Sequence, residues 1–296
     1  MMTDLVLIIG CGYLGRRLGA ELLRAGYRVR GMTRSEEHAG AIGAAGIEPV
    51  VADVTAPGTL PPALADVGIM YHELGGMRGS PEALHRLHVE GTRNILEALP
   101  PSVRRYIYVS STAVYGQTDG GWVDEAAPTE PSSNLGRLRV DAEALVRAAN
   151  GRNGLQTIIL RPSSIYRPAA PIYQQIREGT YKISSDPTKW MNHIYIEDFL
   201  SAMALAAARG DGGEAYNLTD DEPHPAGDYF AFIADAMGAP RPPLTYEPPA
   251  EGCAVLVRES DKRVRNAKLR AHFTWAPKFP SYREGILDAA AHGWRE

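Results

Sequence analysis

The chain has 296 residues, 44% of them hydrophobic and 22% charged, with a formal net charge of −4. That length suits one large α/β unit or a nucleotide domain with a smaller lobe, and the mild acidity speaks against a nucleic-acid or membrane-surface binder. Two cysteines, Cys11 and Cys253, give neither a disulfide framework nor zinc-like spacing, and the apolar run at 5–9 is too short for a signal or a membrane span, so the expectation is a cytoplasmic protein without a metal site.

In chain order, the β-rich run at 5–9 ends in glycine and reads as a buried parallel strand. Residues 16–25 follow as a helix with Leu18, Leu22 and Leu23 on one face and Gly26 as its C-cap. Strands are expected at 27–32, 47–51 and 69–72, then a long helix over 81–99 stopped by Pro100 and Pro101. A fifth strand spans 105–109 with Ser110, Ser111 and Thr112 at its tip, a helix covers 141–150, and a sixth strand covers 157–160. This alternation predicts an α/β, doubly wound, mostly parallel Rossmann sheet. Beyond Pro162 the rhythm changes. A short helix among loops lies within 168–187, a helix at 196–208, a strand at 215–218, a helix at 228–237, a proline-rich stretch at 240–249 and an α-rich end from 269. The expected division is a nucleotide domain over 1–165, rejoined by 194–220, and a small α-rich substrate lobe from 166–193 and 221–296.

Gly10-Cys11-Gly12-Tyr13-Leu14-Gly15 is a G-x-G-x-x-G between the first strand and the first helix. The first glycine permits a tight turn, the second lets backbone N–H groups approach a pyrophosphate, and the third lets helix and strand pack closely. The helix N-terminus adds partial positive charge. A glycine-rich turn without ligand is the plain alternative, but the first β–α junction is the context the motif requires. Cys11 reads as a small filler, with a reactive thiol as the alternative.

An NAD-specific site places Asp or Glu at the tip of the second strand. Here the tip is Met32-Thr33-Arg34-Ser35, without an acid. A guanidinium binds a 2′-phosphate by charge-assisted hydrogen bonds, so Arg34, with the hydroxyls of Thr33 and Ser35 and help from Arg16, reads as a pocket for NADP. A solvated surface arginine is the alternative.

Further landmarks join the loop. They are Asp53-Val54, Gly91-Thr92-Arg93-Asn94, Ser110 through Gly116, Leu160 through Tyr166, Asn192 through Asp198, and Ala215 through Leu218. Together they resemble the extended short-chain dehydrogenase/reductases, the NAD-dependent epimerase/dehydratase family, across nearly the whole chain. Residues 119–125 and 280–285 point within it to a YeeZ-like branch. The resemblance implies cofactor contacts from Asp53, Val54, Leu74, Gly75, Gly76, Arg161, Pro162, Ser163 and Ser164. It implies substrate contacts near Trp122, Asp124, Glu125, Tyr166, Trp190, Asn192 and His193.

The resemblance also implies a Ser/Thr, Tyr and Lys set, in which Tyr exchanges the proton of a carbonyl or alcohol and Lys lowers its pKa and holds the nicotinamide ribose. Ser111 and Thr112 match the first element, and Gly136, Ala142 and Glu143 fit the helix that should carry the rest. Leu135 stands in the place of Tyr and Arg139 in that of Lys. Leucine exchanges no proton; arginine stays charged and is left the role of ribose clamp. His88 replaces an asparagine of the family. Tyr115 is read either as a catalytic group facing the cleft or as packing; Tyr166, Tyr195 and His193 are further candidates. His72, His85 and His88 find no third ligand at metal spacing.

Three functions stay open. One is an NADP-dependent oxidoreductase or epimerase/dehydratase-type enzyme on a small molecule, with non-standard acid/base groups. The second is a dinucleotide-binding sensor or scaffold without catalysis, and the third a non-redox enzyme with structural NADP. The resemblance implies pairing of two copies through two helices of the nucleotide domain, here those that begin at Pro81 and Leu135.

Overall fold

The computed structural model describes residues 4–75, 79–246 and 260–295. Gly76 and Cys253 lie outside the described residues. In chain order the elements begin β1 (Leu5–Ile9), α1 (Tyr13–Arg24), β2 (Arg28–Thr33), α2 (Glu36–Ala44), β3 (Glu48–Val51), α3 (Leu60–Leu64) and β4 (Val67–His72). There follow α4 (Pro81–His85), α5 (Gly91–Ala98), β5 (Arg105–Val109), β6 (Thr118–Val123), α6 (Asn134–Ala149), β7 (Gln156–Pro162) and β8 (Ser164–Tyr166). The rest are α7 (Pro171–Arg177), β9 (Trp190–Met191), β10 (His193–Tyr195), α8 (Ile196–Arg209), β11 (Ala215–Leu218), β12 (His224–Pro225), α9 (Ala226–Met237), β13 (Asp261–Val264), α10 (Ala267–Phe273) and α11 (Tyr282–Ala291).

Seven strands form one sheet in the order β11-β7-β5-β4-β1-β2-β3. The strands from β3 to β7 pair in parallel. β1 is apolar along its whole length and fully buried, as a strand with a neighbour on each edge and helices on both faces must be. The order reverses direction between β1 and β4, the switch point at which doubly wound sheets bind ligands beyond the strand C-termini. A core of Leu7, Ile9, Met70, Tyr106, Tyr108, Ile95, Ala142 and Val146 seats α5 and α6 on the sheet. Among the described residues no helix is long and apolar enough to cross a membrane.

Three expectations shift. The helix foreseen over 81–99 is interrupted by one π turn at Arg86–Glu90 between α4 and α5. α6 begins seven residues before the expected 141, because buried Gly136 and Arg139 tie its polar first turns to the protein. β6 was not foreseen. Its Thr-Asp-Gly-Gly start is poor in strand formers, and its partner β13 lies far along the chain.

The chain divides into two compact units. One holds 1–114, 134–161 and 200–216, and the other 115–133, 162–199 and 217–296. Segment 115–133 thus sits in the second unit, not in the nucleotide domain where 1–165 had placed it, because β6 pairs with β13. The second unit also contains the pairs β8–β10 and β9–β12 and the helices α7, α9, α10 and α11.

Candidate functional site

The glycine loop closes β1 and opens α1. Gly10 has φ +83°, and a Cβ there would stand 1.9 Å from the Glu73 carbonyl oxygen, so no other residue fits. Gly12 N–H donates to Gly10 O (2.6 Å), and a Cβ on Gly12 would meet only Gly10 O, at 3.8 Å. Its side is open space that a side chain would fill. Gly15 lets α1 lie on β1, where a Cβ would approach Ile8 Cγ2 to 3.1 Å. No side chain caps α1 and no acid lies in its first turn, which leaves its N-terminal N–H groups and positive dipole end for an anion. Cys11 is buried, its N–H donates to Met32 O (3.1 Å), and its sulfur occupies the space a Cβ on Gly31 would need. Burial pushes the thiol up to about 12; this is the inert filler.

A groove of about 780 Å³ runs from this loop across the C-terminal ends of β1, β2 and β4. Gly10, Gly12 and Tyr13 line it, as do Thr33 and Arg34, Val54, and Leu74 and Gly75. Leu14, Gly15, Ser35 and Asp53 do not. Ser35 is the N-cap of α2 and accepts from Glu37 N–H (3.2 Å). Asp53 folds its own turn by accepting from Thr55 N–H (2.8 Å) and Thr55 Oγ1 (2.9 Å). Asn94 Nδ2 donates to Val54 O (2.8 Å), and Gly91 packs where its Cβ would strike Val54. These contacts are the physical content of the 91–94 landmark. Arg16, which the sequence had suggested, also lines the groove, along with Thr55, His38 and Arg86. His38, Thr55 and Arg86 had no sequence signal, and Arg86 reaches the wall from the π turn. Three arginines and no carboxylate are among the described residues that line it. The open side of Gly12, the uncapped helix and this cationic, partly apolar wall fit a nicotinamide dinucleotide.

Beside the groove, the ends of β4, β5 and β7 are held by buried charge. Arg139 donates to Tyr108 Oη (3.2 Å), Val109 O (3.3 Å) and Leu74 O (3.1 Å), and its Nε is buried without a partner among the described residues. Its guanidinium is a strap between strand ends, not an exposed ribose clamp. Arg161 makes a bidentate pair with Glu143 (2.9 and 2.6 Å), which also accepts from Ser110 Oγ (2.7 Å). The Arg161 side chain is therefore structural. Ser111 Oγ accepts from Ala113 N–H (3.1 Å), and Thr112 is buried. Leu135, half-buried, offers no proton. His72 is neutral: burial, with Arg139 and His88 nearby, pushes it down to about 3, and Nδ1 meets Tyr106 Oη (2.5 Å). Glu73 is pushed up to about 8 by burial, and its Oε2 is buried without a hydrogen bond among the described residues.

The remaining sequence candidates belong to the second unit. Tyr115 is buried and donates to Asn217 Oδ1 (2.8 Å), while its carbonyl accepts from buried Lys262 Nζ (3.2 Å). This is the packing role. Pro162 ends β7. Ser163 N–H donates to Leu218 O (2.9 Å) and its Oγ to Thr219 Oγ1 (3.2 Å). Ser164 N–H donates to Asn192 O (3.1 Å). Asn192 in turn zips onto β13, donating to Lys262 O (2.9 Å) and accepting from Val264 N–H (2.7 Å). Tyr166 is buried against Gly285, its hydroxyl 3.4 Å from Ser281 O. His193 Nδ1 meets His224 Nε2 (2.9 Å), whose Nδ1 faces Pro225 O (3.0 Å); burial holds both histidines neutral. Tyr195 donates to Asp288 Oδ2 (2.8 Å). Asp124 caps a turn at Ala126 and Glu125 accepts from Asn217 N–H (2.7 Å). Trp122, 46% exposed, and Trp190 are brought together by Arg263, whose guanidinium carbon lies 5.1 and 4.8 Å from their ring centroids. Arg265 lies 4.7 Å from Trp122. None of Tyr115, Tyr166 and His193 offers an uncommitted, exposed acid or base.

The chain is 30% identical over 242 residues, 77% of its length and 72% of the relative's, to 4-hydroxy-2-methyl-3-oxo-4-farnesyl-3,4-dihydroquinoline-1-oxide ketoreductase of Stigmatella aurantiaca. It is 26% identical over 230 residues to protein YeeZ of Escherichia coli, covering 76% of this chain and 80% of YeeZ. The solved structure of a conserved protein from Silicibacter pomeroyi superposes with a TM-score of 0.80 at 31% identity, over 98% of this chain and 99% of that one. The profile of the NAD dependent epimerase/dehydratase family matches residues 6–219. With its glycine loop, switch-point groove and seven-stranded sheet, the chain belongs to that family, the extended short-chain dehydrogenase/reductases.

Proposed function

We propose that the chain binds NADP(H) in the groove of its first unit and works as an oxidoreductase on the carbonyl group of a small molecule. One observation carries this reading: among the described residues, Arg16, Arg34 and Arg86 line the groove and no carboxylate does. A 2′-phosphate finds opposite charge there, whereas NAD would lack the acid that accepts from its ribose hydroxyl. A ketoreductase among the relatives supports the carbonyl as substrate.

When bound, the nicotinamide supplies the two-electron chemistry. The chain's own residues bind and orient. The loop and the α1 N-terminus hold phosphate, and Val54 and Leu74 offer apolar surface. Ser111 Oγ already accepts from Ala113 N–H, so its proton is left to donate to a substrate oxygen. Leu135 has no proton to give and Arg139 keeps its own, so the proton that balances carbonyl reduction is drawn from solvent.

That engagement of Arg139 favours a second reading, dinucleotide binding without turnover. The test is oxidation of NADPH followed by absorbance over a panel of ketones, enones and imines, with Arg34→Glu and Ser111→Ala beside the wild type. The oxidoreductase reading expects turnover that Ser111→Ala cuts at least tenfold and a coenzyme preference that Arg34→Glu moves toward NADH. Binding without turnover on any substrate supports the second reading. An Arg34→Glu protein with unchanged preference contradicts the assignment of the 2′-phosphate pocket.

A further inference from the structure

Glu73 is a carboxyl group one residue before the wall of the dinucleotide groove, which Leu74 and Gly75 line and Glu73 itself does not. It follows β4 directly. Its N–H donates to Ile9 O (3.0 Å), and its carbonyl oxygen fills the space beside Gly10. Leu74 and Gly75, the next two residues, line the dinucleotide groove. Its Oε2 is buried and has no hydrogen-bond partner among the described residues. A carboxylate with a buried oxygen that no donor meets is costly, and the same group as a neutral acid is less so. The charged and titratable groups whose fields reach it are Arg139 of α6 and Cys11 of the loop, whose thiol also feels Arg16 of α1. Arg139 is strapped to Tyr108, Val109 and Leu74 and makes no ion pair with Glu73. His72, the neighbour on β4, faces Tyr106 and is neutral.

We infer that Glu73 is a proton-carrying member of the dinucleotide site: the chain takes its cofactor with Glu73 protonated, and ionisation of this one carboxyl weakens the hold. The inference rests on the dinucleotide reading above and adds a proton to it. A protonated carboxyl leaves the loop's positive field to the pyrophosphate and has a hydrogen to donate. An ionised one adds a negative charge whose field reaches the loop at Cys11. Burial places the changeover in the free chain at about 8, with Arg139 opposing it. The proton stays on oxygen throughout, taken from solvent when the ionised chain binds.

The sign follows from linkage. The bound state holds the proton more tightly than the free state, so affinity is constant below the free-state changeover and falls above it, approaching tenfold per pH unit. The experiment is fluorescence titration of NADPH into the full chain at pH 7, 8 and 9, with wild type, Glu73→Gln and Glu73→Leu. The expected result is about a tenfold weaker wild-type affinity at pH 9 than at pH 7, with less than twofold change in either variant. Calorimetry at pH 9 in two buffers of different ionisation enthalpy is expected to show uptake approaching one proton per site by the wild type alone. Lys262, in the second unit, is pushed down to about 8 by burial and titrates in the same window. The comparison with the variants therefore decides, and not the wild-type profile alone. A flat wild-type profile, or variants whose affinity falls in parallel with it, overturns the inference while leaving the dinucleotide reading intact. No binding by any of the three proteins at any pH overturns that reading and this inference with it.

Discussion

Glu143 accepts from Arg161 twice and from Ser110 once, and both members of the ion pair are almost fully buried. Removing one partner of such a pair strands a buried charge, which costs about 3–5 kcal/mol, whereas replacing both by apolar groups is often near neutral. Arg161→Met is therefore expected to lower stability in urea unfolding by about 3–5 kcal/mol, with Arg161→Met/Glu143→Leu recovering most of it. Equal losses in the single and double variants contradict the account of the pair. Glu73 gives a second test, without cofactor. Its pKa is raised on folding, so its contribution to stability is fully present below its unfolded value near 4.5 and is lost as pH rises to about 8. Glu73→Gln is expected to raise the Tm by a few degrees at pH 8 and to change it little at pH 4. A gap that is the same at both pH values speaks against a protonated Glu73.

At the scale of elements, β1 and the glycine loop were readable because a continuous apolar run ending in glycine has few other uses, and the other strands of the sheet because they alternate with helix-patterned segments. The loop needs small residues at positions 10, 12 and 15 for three different reasons, and each appears in the contacts. Gly12→Val is accordingly expected to fold with near wild-type stability yet lose at least tenfold in dinucleotide affinity, while Gly10→Val is expected to fail to fold. A well-bound coenzyme in Gly12→Val contradicts the loop as phosphate cradle. The π turn was not readable, since no residue in Arg86–Glu90 is peculiar to it, and with it went the arrival of Arg86 at the groove. β6 escaped for a related reason. Its stability lies in tertiary partners, with Arg263 lying over Trp122 and Trp190 and donating to Gly120 O (2.8 Å). Cation–π contacts of this kind contribute about 0.5–1 kcal/mol each at exposed sites. Arg263→Ala is expected to cost about 1–3 kcal/mol and to shift tryptophan emission. Unchanged emission contradicts the stack.

For the molecule as a whole, the glycine loop and its groove were more legible in the sequence than the candidate acid/base groups. Phosphate binding is carried by backbone and by residues close in the chain, so a local motif reports it. Acid/base roles depend on which side chains remain uncommitted, and only the contacts reveal that Tyr115, Tyr166, His193, Arg139 and Arg161 are each engaged. Leu135 and Arg139 were visible as departures, but the strap that Arg139 forms was not. The central claim is that a groove lined, among the described residues, by three arginines and no carboxylate selects a coenzyme bearing a 2′-phosphate. Its most direct test is a side-by-side titration of the wild-type chain with NADPH and NADH at pH 7 and physiological ionic strength. The account predicts at least tenfold tighter binding of NADPH, an advantage that shrinks as salt is raised. Equal affinities, or a preference for NADH, would contradict it.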